Sequence, residues 1–175
     1  MPNAHMITVM QGEFKVSVQK DEVLSTILGS CIATCIWDPV ACVGGMNHFL
    51  LPGNAGEKAG NLSYGVNAME LLINAVLQLG AQRNRLQCKL FGGASMFETC
   101  SGVGKKNSEF AFWFLRNEDL AVVSHNVGGN RGRKIRFWPC DGRAQMMLLE
   151  DAWQEPASQA AVPKPVPPVG GVTLF

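Results

Sequence analysis

Short apolar segments bounded by turn residues recur along most of the chain, a pattern typical of β-strands. Residues 6–17 predict a strand, a turn at Gln11-Gly12 and a second strand. Gly44-Gly45 lies inside one apolar segment and predicts either a bulge or the close approach of another backbone. The remaining predicted strands cover residues 23–28, 31–37, 41–51, 87–91, 120–125, 134–138 and 143–149.

Two other segments have helical spacing. Apolar residues recur at steps of three and four over residues 65–80, and Gly80 is suited to end that helix. Residues 105–118 predict a second helix. Since strands outnumber helices and hairpin turns mix with helices, we expect one layered α/β domain over residues 1–150. Its helices are expected to pack on a mixed, largely antiparallel sheet.

The end of the chain differs in composition from the rest. Five of the nine prolines fall within residues 156–175. Such a segment favours extended, polyproline-like backbone with no packed core of its own. We therefore expect residues 151–175 to form an extended Pro-rich tail outside the domain.

The charge balance limits the kind of partner. Lys and Arg number 15 against 14 Asp and Glu, a net charge of +1, which favours a protein or small-molecule partner over nucleic acid or a membrane. No signal-peptide pattern or apolar stretch of about 20 residues is visible, so we expect a cytoplasmic protein. Thiols are kept reduced there, and we expect the six cysteines to be free. None forms a CxxC pair, so a structural zinc site has little support.

One cysteine and one histidine have a spacing that permits nucleophilic catalysis. Cys31 follows the small residues Gly29 and Ser30, whose backbone N–H groups are open to a carbonyl oxygen that becomes an oxyanion. His48 lies 17 residues later (48 − 31). A hairpin centred near residue 40 would place residue 31 opposite about residue 49, within side-chain reach of His48. The alternative, two packed core residues without catalytic function, remains open on spacing alone.

Several motifs, in order along the chain, resemble the chemoreceptor glutamine deamidase (CheD) family. The resemblance extends over about residues 6–150 and rests on separate motifs rather than on one. These are Ser25 to Cys31, Gly44 to Pro52, Tyr64-Gly65 with Ala68 to Glu70, Lys89 to Ala94 with Met96-Phe97, and Gly128 to Ile135.

The resemblance implies an activity. Members of this family convert selected glutamines of chemotaxis receptors to glutamate, and they are associated with hydrolysis of glutamyl methyl esters. The implied mechanism is a cysteine thioester pathway without metal or cofactor. The implied fold is similar to the catalytic domain of the cytotoxic necrotising toxins. A receptor-adaptation phosphatase of the CheC type is the implied regulatory partner.

The resemblance also assigns roles to residues. Cys31 matches the family's nucleophile and His48 its base. The family's third residue, a threonine that orients the imidazole, falls on Ser25, with Thr26 next to it. Two alternatives remain open: a non-catalytic module that binds and regulates a CheC-type phosphatase, and a Cys/His metal site.

Three short segments depart from the family pattern or carry several basic residues. Asn126 stands where an acidic residue is common, and Lys106-Asn107 where an Arg-Asn pair is common. Neither is expected to touch the Cys–His pair. Arg131, Arg133 and Lys134 are expected to meet the acidic face of a receptor coiled coil, unless they are simply solvated.

Overall fold

A computed structural model describes residues 3–52, 58–96, 102–150 and 153–154. Nine strands and two α-helices follow one another in these ranges, with a short 3-10 turn at Arg83–Arg85. The elements are β1 (His5–Thr8), β2 (Phe14–Ser17), β3 (Glu22–Leu28), β4 (Ile32–Asp38), β5 (Val43–Asn47), α1 (Lys58–Gln78), β6 (Gln87–Gly92), α2 (Val103–Asn117), β7 (Ala121–Val127), β8 (Arg133–Phe137) and β9 (Ala144–Leu148).

The strands form two sheets rather than one. The first has the order β1-β3-β8-β9, and the second has the order β2-β5-β4-β6-β7. Only β1–β3 and β6–β7 are parallel pairs among the described strands. The predicted α/β class and largely antiparallel pairing are confirmed. The single sheet is replaced by two, because β1 and β2, which flank the Gln11-Gly12 turn, enter different sheets.

Three layers result from this arrangement. Both helices pack on the second sheet, around a core that includes Ile32, Ile36 and Leu72. A second core lies between the two sheets and includes Leu24, Cys31 and Phe137. Successive side chains of a strand point to opposite faces, so β4 sends Ile32 towards the helices while its neighbours face the other sheet. Cys31, at the start of β4, therefore belongs to the core between the sheets.

Gly44 and Gly45 mark a close backbone approach and not a bulge. The β4–β5 register runs without interruption through Trp37 opposite Gly44 and Ile36 opposite Gly45. A Cβ on Gly44 would collide with the carbonyl oxygen of Pro139, and one on Gly45 with that of Lys15. Because nothing shifts the register here, the pairing continues unchanged towards the end of β5.

The expectation that all cysteines are free is wrong for one pair. Cys42, in the β4–β5 turn, is disulfide-bonded to Cys140, in the β8–β9 turn. The two sheets place these turns side by side, which no sequence spacing indicates. Cys35 and Cys88 are free and buried, and burial raises the pKa of Cys88 to about 12 and that of Cys35 further. With so high a pKa these two thiols stay protonated at neutral pH and are poor nucleophiles.

The predicted Pro-rich tail lies largely outside the described residues. The Pro-rich tail falls on residues 151–175, of which only 153–154 are described. Its extended form and its boundary therefore remain predictions. No helix within the described ranges is long and apolar enough to cross a lipid bilayer.

Candidate active site

The pairing of β4 with the residues after β5 brings Cys31 and His48 together. Ile32 and Phe49 exchange two backbone hydrogen bonds, with N···O distances of 3.0 and 2.9 Å. This antiparallel bridge sets residue 31 opposite residue 50, one position beyond the predicted partner. Cys31 and His48 are then diagonal neighbours on one face, about 7–8 Å apart between Cα atoms in such pairs. Their side chains are 1% and 7% exposed.

A hydroxyl from the other sheet holds the His48 ring. Thr26 Oγ1 lies 2.8 Å from His48 Nδ1 and 2.7 Å from the carbonyl oxygen of Val9. The single hydroxyl proton is donated to the carbonyl, which can only accept, so Oγ1 accepts from Nδ1–H. The neutral imidazole then carries its proton on Nδ1. Its Nε2 is consequently the basic nitrogen.

Thr26, and not the predicted Ser25, makes this contact with His48. Adjacent residues of β3 point to opposite faces of the first sheet. Thr26 faces the core between the sheets and reaches His48, so the Ser25 side chain points to the other face. Counting six residues back from Cys31 selects the wrong neighbour, because a shift of one residue exchanges the two faces of a strand. The β-branch of Thr26 also restricts its χ1 rotation.

The backbone of His48 is held as firmly as its ring. Gly12 N–H donates to the carbonyl oxygen of His48 at 2.7 Å, and His48 N–H donates to that of Glu13 at 3.0 Å. Gly12 has φ 84°, a conformation that glycine adopts without strain. The turn between the first two strands thus docks directly on the predicted base.

A buried side-chain amide links the segments that carry the two reactive residues. Asn107 in α2 is fully buried; its Nδ2 donates to the carbonyl oxygen of Ser30 at 2.9 Å, and its Oδ1 accepts from Leu51 N–H at 3.0 Å. Asn107 thereby contacts the residue before Cys31 and the third residue after His48. The family pattern marked Asn107 as part of a pair, but its link between these two segments was not predicted, because its partners are distant in sequence.

Replacing Asn107 by alanine is expected to lower the free energy of unfolding by about 2 kcal/mol, since two buried backbone groups lose their partners. Asn117→Ala, an exposed position on the same helix, is the matched control and should change stability by less than about 0.5 kcal/mol. Urea unfolding measures both values. Equal stabilities for the two variants would contradict the proposed link.

The backbone from Gly29 to Cys31 is fixed on one side. The carbonyl oxygen of Gly29 accepts from Ala94 N–H at 2.9 Å, and that of Cys31 accepts from Gly93 N–H at 2.8 Å. The Ser30 carbonyl is bound by Asn107. Because a trans peptide is planar and its N–H and C=O point in opposite directions, the Cys31 N–H points away from Asn107. The Ser30–Cys31 peptide is therefore held in one orientation beside the thiol.

One predicted receptor contact is corrected by the structure. Arg133 is 2% exposed, and its guanidinium donates to the carbonyl oxygens of Asn126 and Gly128 and to the side chain of Asn126. Burial lowers the pKa of Arg133. A side chain enclosed in this way braces the loop before β8 and cannot face a receptor. Arg131 and Lys134 keep their predicted role as a proposal.

Within the described ranges, no three His, Cys, Asp or Glu side chains lie close enough together to hold a metal ion. A cysteine beside a histidine braced through Nδ1 is the arrangement on which thiol hydrolases depend. The chain belongs to the CheD family. Residues 50–147 match the sequence model of that family, described as CheD chemotactic sensory transduction.

Whole-chain relatives extend this match across the site. A protein of Acidiphilium cryptum (strain JF-5) is 48% identical over 98% of this chain and 94% of its own length. One of Rhizobium leguminosarum bv. trifolii (strain WSM2304) is 49% identical over 93% of each chain. One of Agrobacterium fabrum (strain C58 / ATCC 33970) is 48% identical over 98% of this chain and 97% of its own. Each is named a probable chemoreceptor glutamine deamidase CheD, which confirms the family resemblance.

Proposed function

We propose that this chain hydrolyses the side-chain amides of selected glutamines in chemotaxis receptors, giving glutamate and ammonia in the cytoplasm. The observation that carries the proposal is the hydrogen bond from His48 Nδ1–H to Thr26, on the same face of the sheet as Cys31. It orients a basic Nε2 on the face that carries Cys31, whereas burial raises the pKa of the other described free thiols, those of Cys35 and Cys88. The names of the relatives supply the substrate class.

Acylation begins with removal of the thiol proton. His48 accepts the proton of Cys31, and the thiolate sulfur attacks Cδ of the substrate glutamine. The C=O π electrons move to oxygen, where backbone N–H groups near Ser30 and Cys31, including the Gly29–Ser30 turn, stabilise the oxyanion. The tetrahedral intermediate collapses, the C–N bond breaks, and the imidazolium gives its proton to the departing ammonia. A thioester between Cys31 and the receptor side chain remains.

Deacylation uses the same groups in reverse roles. His48 takes a proton from water, the hydroxide attacks the thioester carbonyl, and the C–S bond breaks to release the glutamate side chain and the Cys31 thiolate, which takes the proton back from the imidazolium. A glutamyl methyl ester fits the same steps, because only the leaving group differs. The sequence of steps requires no metal or organic cofactor.

The reaction is tested with purified protein and a receptor cytoplasmic fragment. Mass spectrometry of the fragment should show the exchange of NH2 for OH at individual glutamines, with one equivalent of ammonia released for each. Hydroxylamine in the assay should intercept the thioester and leave a glutamyl hydroxamate. A fragment that stays unchanged would exclude receptor deamidation, and a deamidated fragment without hydroxamate would exclude the thioester.

Thr26 is a positioning residue, and its effect is expected to appear in kcat. Thr26→Val removes the hydroxyl at nearly constant shape and should lower kcat about 10- to 100-fold, the equivalent of one buried hydrogen bond. Thr26→Ser should restore most of the rate, whereas Ser25→Ala should leave it within a few-fold. Steady-state deamidation kinetics with a melting temperature for each variant make the comparison. A larger loss in Ser25→Ala would return the role to Ser25.

A regulatory partner of the CheC phosphatase type remains a prediction from the family resemblance. The alternative of a purely non-catalytic binding module finds less support in the site, since binding alone gives no reason to brace a buried imidazole against Thr26. Binding of a purified CheC-type phosphatase, measured by calorimetry with Cys31→Ala, tests the partner independently of catalysis.

A further inference from the structure

The side chain of Gln11 lies against the proposed nucleophile. Cys31 Sγ is 3.6 Å from Gln11 Oε1, close enough for the thiol to donate to the amide. Gln11 is exposed, whereas Cys31 is 1% exposed. A substrate carboxamide that reaches the sulfur from solvent therefore arrives beside the carboxamide of Gln11.

The turn that carries Gln11 is built to hold it there. Met10 N–H donates to the Glu13 carboxylate at 3.1 Å, and Glu13 N–H donates to the Met10 carbonyl at 3.0 Å. Gly12 and Glu13 are bound to the backbone of His48 on either side. The position of Gln11 is thus tied to that of the base as well as to the nucleophile.

Tyr64 in α1 lies at the same turn. A Cβ on Gly12 would be 4.0 Å from the Tyr64 hydroxyl oxygen, so the phenol borders the Gln11-Gly12 turn. Burial, and to a lesser extent the negative charge of Cys31, raise the pKa of Tyr64. Tyr64 and Gln11 are thus two polar side chains at the same turn.

We propose that Gln11 contacts the substrate and donates its side-chain N–H to the oxygen that becomes the oxyanion. That oxygen is two bonds from Sγ once the thiolate has attacked, so a group in contact with Sγ lies within hydrogen-bond reach of it. A carboxamide presents an acceptor or a donor by rotation about its terminal bond. Its oxygen accepts from the resting thiol, and its NH2 faces the negative charge that develops during attack.

The expected effect on catalysis follows because the Gln11 carboxamide bonds the thiol at rest and the oxyanion during attack. An interaction that strengthens only as charge develops raises kcat and leaves KM little changed. Removal of one donor to an oxyanion typically costs about 10²- to 10³-fold in kcat. Gln11 thus adds a side-chain donor to the backbone N–H groups proposed for the oxyanion. This role rests on the proposed deamidase activity.

The test compares variants that differ only in donor capacity. Gln11→Met keeps the length without polar atoms, and Gln11→Glu keeps the shape as an acceptor only. Both are expected to lower kcat for receptor deamidation about 10²- to 10³-fold with KM within a few-fold. Gln19→Met, at an exposed glutamine on the next connection, is the matched control and should retain the wild-type kcat.

Alkylation of Cys31 by iodoacetamide distinguishes oxyanion stabilisation by Gln11 from a role as a cover over the sulfur, because that displacement forms no oxyanion. Gln11→Met should be alkylated at nearly the wild-type rate and melt at the same temperature. A faster alkylation with unchanged kcat would make Gln11 only a cover over the sulfur, and a lowered melting temperature would make it only structural. Conversion of Gln11 itself to Glu in the wild type, absent in Cys31→Ala, would make it an internal substrate. Each of these overturns the proposal.

The two proposals fail in distinguishable ways. Absence of deamidation by the wild-type protein would refute the proposed function, and the Gln11 role with it. Deamidation by wild type and Gln11→Met at equal kcat would refute the Gln11 role alone.

Discussion

Replacing Cys31 by alanine is expected to lower kcat for receptor deamidation by about 10⁴- to 10⁶-fold, the cost of losing a nucleophile. No other described free thiol is able to take its place. Cys35 and Cys88 are fully buried, and burial raises the pKa of both. His48→Ala should cost about as much, because Cys31 and His48 act as one unit. The double variant should be no slower than either single variant.

The measurement is the rate of glutamine conversion in receptor fragments, followed by mass spectrometry over long incubations. Cys88→Ala is the matched control, since it removes a buried free thiol on the helix side of the sheet. It should keep kcat within a few-fold of the wild type. Deamidation by Cys31→Ala at the wild-type rate would contradict the thiol-hydrolase interpretation. A larger loss of kcat in the double variant than in either single variant would show that His48 acts independently of Cys31.

Replacing Asp38 by alanine is expected to lower the free energy of unfolding by about 3–5 kcal/mol, the cost of breaking a buried ion pair. Asp38 ends β4, and its side chain is 0% exposed. Its carboxylate accepts from Arg85 Nε and Nη2 at 3.0 and 2.7 Å. It also accepts from the backbone N–H groups of Val40, Ala41 and Gln82. Alanine would leave all of these donors without their acceptor.

The same carboxylate predicts a pH dependence. The Arg85 guanidinium and the backbone N–H groups hold the pKa of Asp38 well below its usual range, against the opposing effect of burial. A lowered folded-state pKa means that the stabilisation is complete above the unfolded pKa of about 3.9 and is lost as the pH falls below it. The difference in stability between wild type and Asp38→Ala should therefore shrink in acid.

Urea unfolding at neutral and acidic pH measures this difference. Glu118→Ala is the control, because Glu118 pairs with Arg83 at the surface, where both side chains are more than a third exposed. Removal of a surface pair should cost less than about 1 kcal/mol. If the two variants are equally stable, or if the Asp38→Ala difference grows in acid, the ion pair is not what stabilises this turn.

The site was predictable where it depends on residues that share one strand pair. Cys31 and His48 follow from a hairpin whose register the apolar pattern and a short turn nearly determine. The error was one residue, because the true centre of pairing lies between residues 40 and 41. Thr26 was harder to assign, since a spacing of five or six residues within the loop and strand before Cys31 does not show which neighbour faces the core. The contacts of Asn107 and Gln11 were not predicted, because their partners are distant in sequence.

The fold likewise has features that local sequence patterns predict and features that only the packing of the sheets decides. Strand and helix positions follow from local patterns; the predicted elements are present within a few residues of their expected bounds, except that α1 begins at Lys58, seven residues before the predicted start at residue 65. The distribution of β1 and β2 between two sheets was missed, since adjacent strands pair with each other more often than not. The Cys42–Cys140 bond was missed for a related reason: the two turns belong to different sheets and meet only after these pack.

The sequence by itself determined the elements of this protein, the largely antiparallel pairing of its strands and its family, and it predicted that Cys31 and His48 lie side by side. These depend on residues close along the chain, or on motifs that the family shares. The tertiary structure alone decided that Thr26 and not Ser25 holds His48, that Asn107 joins the two catalytic segments, and that Gln11 lies at the sulfur. Each of these contacts joins separate layers or loops, and only the packing of two sheets and a helix brings such groups within hydrogen-bond distance.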